Sequence, residues 1–377
     1  MSAHARTATL FALLALAALW PVRPAAAATA FVSPPDAAAA PAANATDPAK
    51  PAGAATLPPP AERRTFIAYF ENDLFADADE HYTNAVKFTY ISKDLDHYRD
   101  SWLPDWAVNM LEAIPKLGEK DDIHNVGFSL GQDIYTPEDT QTTQLQKQDR
   151  PYAGWLYASV ALHAKNATRL DTFELTGGLV GPSALGEESQ NTVHEVRHIP
   201  TAKGWDNQLH DEPGVMLSWL RTWREDPEPL RLWGLDWDHL VHAGATAGNV
   251  FTFANLGGEI RAGHNLPHDF GTNLIRPGGA SAPPAVPGDP WVQGDTGWHL
   301  FLGTDARYVL RNIFLDGNTW EDSPSIPKER LVADVYTGAA YLWDRYKLTY
   351  THCWRSNEYS GQHGGQFFGS LALAVSF

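Results

Sequence analysis

The sequence predicts an all-β fold, a transmembrane antiparallel β-barrel of about twelve strands with a short helix in an outer loop. Three observations predict it. The chain begins with an apparent export signal, no later stretch is long and apolar enough for a membrane helix, and the last segment alternates like a barrel strand and ends on Phe377.

The export signal occupies residues 1–30. Arg6 precedes a largely apolar run from Ala8 to Trp20, which is shorter than the roughly 18 residues that a membrane helix needs. Small residues follow at 26–30 and suit a signal peptidase, with a short N-terminal anchor as the alternative. After export, the mature chain is either soluble or crosses a membrane as strands.

Residues 31–64 are rich in alanine and proline and lack the apolar periodicity of a packed element. This composition predicts a disordered or extended tether before a barrel at 65–377. Cys353 is the single cysteine, so no intramolecular disulfide can form. The formal charge of -17 argues against a nucleic-acid partner and favours divalent cations as a bridge to any anionic substrate.

The C-terminal segment carries the clearest strand pattern. From Phe367 to Phe377 the odd positions read Phe, Gly, Leu, Leu, Val and Phe, whereas the even positions from Ser370 read Ser, Ala, Ala and Ser. Barrel strands alternate in this way, with apolar side chains toward lipid and polar ones toward the lumen. An ordinary strand of a soluble sandwich is the alternative.

Similar alternation predicts strands near 65–73, 82–92, 123–133, 154–164, 171–180, 214–224, 231–246, 250–262, 298–311, 330–342, 345–355 and 366–377. An even barrel with both termini in the periplasm then has outer loops near 74–81, 134–153, 181–213, 247–249, 312–329 and 356–365. The connections near 93–122 and 263–297 face the periplasm. The first contains Trp106 to Ile114, which predicts a short amphipathic helix at the membrane interface.

Polar clusters fall at the outer ends of these strands. They are Glu71-Asn72-Asp73, Tyr82-Thr83-Asn84, Asp149 to Gly154, and a loop that holds Gln190, His194, Gly204 to Leu209 and Glu212. Turns are rich in such residues for backbone reasons alone. Their convergence on one rim nevertheless indicates a candidate site.

Residues 186–197 lack strand alternation and predict a helix, on which Gln190 and His194 share a face. A histidine beside carboxamides and carboxylates can act as a general base that activates water. Oxygen ligands from the Asp, Asn and Thr residues at the loop ends suit a hard cation such as calcium rather than zinc, and such a cation could polarise an ester carbonyl. The alternative is a solvated surface histidine.

Two short motifs match known signatures without their structural context. His194 to His198 spells H-E-x-x-H, but Pro200 ends the helix just beyond it and no third zinc ligand is evident. Gly127 to Gly131 spells G-x-S-x-G, yet it lies inside a predicted strand with no helix after it. A zinc protease therefore stays only as an alternative.

Taken together, the motifs resemble the calcium-dependent outer-membrane lipid A 3′-O-deacylases over most of the chain after Thr65. The matching segments are Phe70 to Asp73, Tyr82 to Asn84, Gln132 to Pro137, Asp149 to Gly154, Gly181-Pro182, Gln190, His194, Gly204 to Leu209, Glu212 and Phe314 to Asn318. The resemblance implies a twelve-stranded monomeric barrel in the bacterial outer membrane, with its active site between the wall and the outer loops. It also implies a carboxylic ester hydrolase that removes the 3′-linked acyloxyacyl chain of lipid A in lipopolysaccharide.

The resemblance also implies roles for individual residues. His194 would be the general base and Gln190 would support the site. Asn72 and Asp73 would lie at the calcium and oxyanion site, with Thr83 beside them and Glu212 as a further calcium ligand. A catalytically silent barrel, acting as a pore, an adhesin or a structural protein, is the alternative function.

Overall fold

A computed structural model describes residues 63–72, 82–112, 122–224, 230–272 and 296–377. The predicted signal peptide lies outside these ranges, as does the predicted tether up to residue 62.

The strands are β1 Thr65–Asn72, β2 Tyr82–Ile91, β3 Ile123–Tyr135, β4 Ala153–Lys165, β5 Arg169–Val180, β6 Glu212–Arg224, β7 Leu230–Leu232, β8 Leu235–Gly248, β9 Phe251–His264, β10 Gly297–Asn312, β11 Leu331–Trp343, β12 Tyr346–Arg355 and β13 Gln366–Ser376. Each pairs antiparallel with its neighbour in sequence, except that β6 pairs with β8 and β13 returns to β1. The short β7 pairs only with the beginning of β8. Twelve strands therefore close the wall, which confirms the predicted barrel.

One predicted strand, 231–246, is divided in the structure into β7 and β8. Trp233 and Gly234 lie between them, and both have positive φ values, of 53° and 79°. A two-residue hairpin turn requires positive φ at its two central residues, so this pair reverses the chain at once. The interruption does not change the number of strands in the wall.

The register gives the barrel two distinct ends. Thr65 of β1 pairs with Ser376 of β13, so both termini of the sheet lie at one end, here called the lower rim. The opposite end, the upper rim, carries the described connections 136–152, 181–211, 249–250, 313–330 and 356–365. These agree with the predicted outer loops to within about two residues, and the predicted loop 74–81 lies outside the described residues.

The wall alternates between buried inward and exposed outward side chains. On β10, Leu300 and Leu302 point outward and are each 57% exposed, whereas Phe301 between them is 3% exposed. Charged residues such as Asp305 and Glu259 are buried on the lumen side. An apolar outer face is suited to contact with lipid. Closure of the sheet is also required in a bilayer, because it leaves no strand edge with unpaired backbone groups in lipid.

Three α-helices lie in the connections that the structure describes. They are α1 Asp105–Glu112 at the lower rim, α2 Gly186–Arg197 at the upper rim and the short α3 Ile313–Asp316, also at the upper rim. α2 has the bounds that its sequence predicts, and α1 lies within the predicted lower connection but begins at Asp105. In the described part of the chain, no helix has the length and apolar character needed to cross a membrane.

Side chains and loops fill the lumen near the upper rim. Phe314 of α3 stacks on Tyr135 of β3, with ring centroids 4.1 Å apart, and lies against Phe251. The buried Arg150 donates to the Glu358 carboxylate at 3.3 Å, which joins two upper connections across the barrel mouth. The upper mouth is therefore occupied by protein.

A second group fills the lumen near the lower rim. Asp269, in the connection after β9, forms ion pairs with Arg261 of β9 and Lys347 of β12. The next residue, Phe270, packs against Leu170 of β5 and Leu240 of β8. This connection therefore reaches across the lumen from one side of the wall to the other.

Candidate active site

The candidate site begins with a row of residues at the upper ends of β1 to β4. Asn72 pairs with Asn84, Asn84 with Ile134, and Ile134 with Gly154. Alternation places this row on the outer face of the wall, because the neighbours Glu71, Ala85 and Asp133 face the lumen. Asn72 is nevertheless only 3% exposed. Protein therefore covers the outer face here, where lipid would otherwise contact the wall.

The cover includes the beginning of α2 and the turn before it. Gln132, on the outer face of β3, donates through Nε2 to the Ala184 carbonyl at 2.6 Å. A Cβ atom on Gly154 would lie 3.2 Å from the Gly186 Cα and 3.1 Å from the Ala184 Cβ. Glycine at 154 thus permits the close approach of α2 to the wall.

Replacing Gly154 with valine should displace α2 from the wall, since overpacking of this kind costs about 1–3 kcal/mol. The expected result is faster limited proteolysis in the connection 181–211, with unchanged heat-modifiable migration of the barrel. Gly177→Val is the matched control, because a Cβ at Gly177 meets no atom closer than 4.0 Å. Equal protease resistance of the two variants would contradict this account of Gly154.

His194 lies on the buried face of α2 and is 5% exposed. Its Nδ1 atom lies 2.7 Å from the Pro200 carbonyl oxygen. A carbonyl only accepts hydrogen bonds, so Nδ1 carries a proton and, in the neutral ring, Nε2 keeps a lone pair. Among the residues that the structure describes, none hydrogen-bonds to Nε2. This is the tautomer that a general base requires.

The end of α2 creates this contact. His198 adopts a left-handed conformation, with φ 59°, and the Ile199 amide donates back to the His194 carbonyl at 3.0 Å. This helix end turns the chain back so that Pro200 meets the His194 ring. His198 thus lies outside the helix and the Nδ1 atom of His194 is engaged. The H-E-x-x-H segment therefore lacks the helix carrying both histidines that the zinc signature needs.

Gln190 lies on the same buried face of α2 as His194 and contacts Trp205. The Trp205 indole donates to the Gln190 Oε1 at 2.9 Å, and both side chains are buried. The indole also lies on the Tyr152 ring, with centroids 5.0 Å apart. Gln190 therefore links α2 to Trp205, and its predicted role in supporting the site stays a prediction.

Glu212 lies in a different place from His194. It faces the lumen at the beginning of β6, and both of its carboxylate oxygens accept hydrogen bonds. The donors are Asn249 Nδ2 at 2.9 Å, the Thr319 amide at 2.7 Å and Asn318 Nδ2 at 3.2 Å. Glu212 thus ties two upper connections to the wall, and the structure does not bring it into the row that contains Asn72.

Two predicted site residues lie wholly or partly outside the described structure. Asp73 falls in 73–81, and only the backbone of Thr83 is described, in β2. Within the described ranges, no three His, Cys, Asp or Glu side chains are grouped closely enough to hold a metal ion. Asn72, Asp73 and Thr83 still offer side-chain oxygens, the donor type that suits calcium.

The surroundings of α2 are acidic. Burial raises the pKa of the Glu187 carboxyl, and Glu188 and Asp206 raise it further through charge repulsion. Acidic residues in the first turn also interact favourably with the positive end of the helix.

Sequence reasoning assigned no role to the Pro200 carbonyl, to Trp205 or to Gln132. The sequence marked Pro200 only as the residue that ends the helix. Every residue has a backbone carbonyl, so residue type cannot show which carbonyl accepts a hydrogen bond from His194. Gln132 and Trp205 were visible within motifs, but their partners are 52 and 15 residues away in the chain.

Comparison with known proteins places the chain in a family. The family described as "Outer membrane protein LpxR" matches residues 23–377. LpxR from Salmonella typhimurium has a similar structure, with a TM-score of 0.64 and 16% identity over 83% of this chain and 99% of that one. No curated protein matches the sequence.

Other barrels are more distant. The β domain of the Bordetella autotransporter BrkA gives a TM-score of 0.39 at 8% identity, covering 84% of this chain and 99% of that one. The translocator domain of NalP from Neisseria meningitidis gives 0.34 at 7% identity, covering 84% and 87%. Because the family match spans nearly the whole chain, this protein belongs to the LpxR family and is a β-barrel of the bacterial outer membrane.

Proposed function

We propose that this protein is an outer-membrane lipid A 3′-O-deacylase, a carboxylic ester hydrolase acting as a monomer. The observation that carries the proposal is the His194 imidazole, held in the tautomer of a base on a helix against the outer face of the wall. Membership of the LpxR family supports it.

The position of the site suits a lipid substrate. It lies on the lipid-facing side of the barrel at the upper rim, and lipid A occupies the outer leaflet. Just below Asn72, the outward side chains Phe70, Val86 and Phe88 form an apolar cluster on the wall. An acyl chain could therefore stay beside the wall while its ester group reaches the polar row at the rim.

In the proposed mechanism, the His194 Nε2 takes a proton from water as the water oxygen attacks the ester carbonyl carbon. The imidazolium that forms keeps its Nδ1 hydrogen bond to Pro200, which holds the ring in place. The tetrahedral intermediate then collapses, the bond to the sugar oxygen breaks, and His194 returns the proton to that oxygen. The reaction consumes one water and one ester, releases one carboxylic acid and one sugar hydroxyl, and returns His194 to its starting state.

Calcium would be held by the oxygens of Asn72 and Asp73, with Thr83 beside them. When bound, it would polarise the ester carbonyl and stabilise the oxyanion. Glu212 is the weaker candidate ligand, because its oxygens already accept three hydrogen bonds on the lumen side. The Asn72 side chain, which is buried under the protein that covers the outer face of the wall, would also orient the ester.

Purified protein incubated with lipid A, with and without calcium, tests the proposal. Mass spectrometry should show the loss of one 3′ acyloxyacyl chain in the presence of calcium. Heat-modifiable migration on a gel would verify that the barrel is folded in each sample. A folded barrel that leaves lipid A intact in both conditions would sink the proposal and favour a catalytically silent barrel.

The alternative function, a catalytically silent barrel, includes a pore. The side chains that fill the lumen argue against a pore. Phe314 and Arg150 occupy the upper mouth, and Asp269 and Phe270 cross the lower lumen. We therefore expect no stable conductance steps when the folded protein is inserted into a planar lipid bilayer. Steady ohmic channels in such recordings would contradict this expectation.

A further inference from the structure

We propose that residues 92–112, here called the foot, anchor the barrel to phospholipid headgroups of the inner leaflet. The foot is the beginning of the lower connection after β2 and contains α1. The proposal requires the lower rim to face the periplasm, and it does not depend on the esterase activity.

The foot packs against the outside of the barrel wall. Leu95, Tyr98 and Val108 are buried in one apolar cluster, and their partners on the wall are Val126, Leu162 and Ala164. These partners point outward, because the side chains that alternate with them, such as Asn125, His163 and Lys165, lie on the lumen side. The foot thus covers wall that would otherwise face lipid.

Hydrogen bonds fix the foot in this position. The Ser92 amide donates to the Val126 carbonyl at 2.9 Å, and Leu95 and His124 exchange two backbone bonds of 2.8 and 2.9 Å. The Tyr98 hydroxyl donates to the His163 carbonyl at 2.8 Å. Because the foot is bonded to β3 and β4, its outer surface has a fixed height on the barrel.

That outer surface is aromatic. Trp102 is 56% exposed and Trp106 is 68% exposed, whereas Val108 on the other side of α1 is 1% exposed. Tryptophan prefers the boundary between membrane and water, where its ring is in lipid and its N–H in water. The two rings are therefore suited to an interfacial position.

The wall beside the foot shows where this boundary lies. Asp171 faces outward and receives two hydrogen bonds from the Arg221 guanidinium, at 2.7 and 2.8 Å. Arg169 donates to Asp122 at 2.6 Å in the same network. Charges on the outer face are costly at the middle of the bilayer and cost almost nothing at the interface, so this network marks headgroup height.

The foot lies at the same height as this network. Asp171 pairs in register with Ala164, a residue that the foot covers. Trp219 and Trp223, 37% and 40% exposed, flank Arg221 with ring centroids 5.7 and 5.9 Å from its guanidinium carbon. The tryptophans of the foot therefore extend an aromatic belt that includes Trp219 and Trp223 of the wall. At the lower rim, this belt contacts inner-leaflet phospholipid.

A fluorescent probe at the foot tests the proposal. An environment-sensitive dye is attached to the cysteine of the Asp105→Cys variant, in which both tryptophans of the foot are kept. The labelled protein is then reconstituted in vesicles of phosphatidylethanolamine and phosphatidylglycerol. Cys353 is buried and should not take the label. The matched control is Glu321→Cys, another exposed acidic residue, in an upper connection.

We expect blue-shifted emission from the dye at residue 105, with stronger quenching by lipids brominated near the headgroup than by lipids brominated near the chain end. The dye at residue 321 should respond to aqueous iodide instead. Replacing Trp102 and Trp106 with alanine should shift the residue 105 signal toward that of the control. The proposal would be overturned if iodide quenched the dyes at residues 105 and 321 equally. It would also be overturned if lipids brominated near the chain end quenched the dye at residue 105 most strongly.

Discussion

Replacing His194 with alanine should lower the rate of lipid A ester hydrolysis roughly 10²- to 10⁴-fold, the range that a general base contributes. The reason is geometric. The Pro200 carbonyl holds the Nδ1 proton, so the Nε2 lone pair of His194 is the group available to accept a proton from water. Hydrolysis is measured by mass spectrometry of lipid A at saturating calcium, and heat-modifiable migration should stay as in the wild type.

His198→Gly is the matched control for this substitution. It removes the other histidine of the H-E-x-x-H segment, and glycine readily adopts the left-handed conformation of residue 198. Activity should stay near the wild-type value. A severe loss in His198→Gly, with a zinc-selective chelator acting in the same way, would instead favour zinc chemistry.

Removing calcium with a chelator should lower the rate by about 10²- to 10³-fold, the size of effect seen when a stabiliser of the oxyanion is lost. Readdition of calcium should restore activity. Magnesium should restore less, because it demands a more regular octahedral set of ligands. The folded barrel should persist without calcium, since the wall is closed by its own strand pairs.

Three carboxylate variants separate the possible calcium ligands. Asp73→Asn should raise the calcium concentration needed for half-maximal activity, whereas Asp206→Asn, on the exposed acidic surface near α2, should leave it unchanged. Glu212→Gln should lower the thermal stability of the upper connections without changing the calcium requirement, because Glu212 accepts bonds from Asn318 and Thr319. A calcium requirement that rises only in Glu212→Gln would reverse this assignment.

The barrel itself could be predicted from the sequence because period-two alternation reports which side chains face lipid. The bounds of α2 could also be predicted, since residues 186–197 break that alternation and Pro200 limits the helix. The turn at Trp233 and Gly234 was missed, because alternation continues across so short a reversal.

The arrangement of the site depended on the tertiary structure. His194, Gln190 and Asn72 could be named as candidates from residue type and position at the rim. The sequence could not show that Asn72 is covered on the outer face while Glu212 is bonded on the lumen side. The close approach of α2 to the wall at Gly154 and the hydrogen bonds from a distant loop to Glu212 both form only when the chain folds.

The sequence by itself thus determined the strands, the rim that carries the polar residues and the identity of the proposed base, because these depend on local patterning. Only the tertiary structure decided the tautomer of His194 and the side of the wall against which it lies. Both depend on contacts made after the chain has folded, namely the Pro200 carbonyl and the close approach of Gly186 to Gly154.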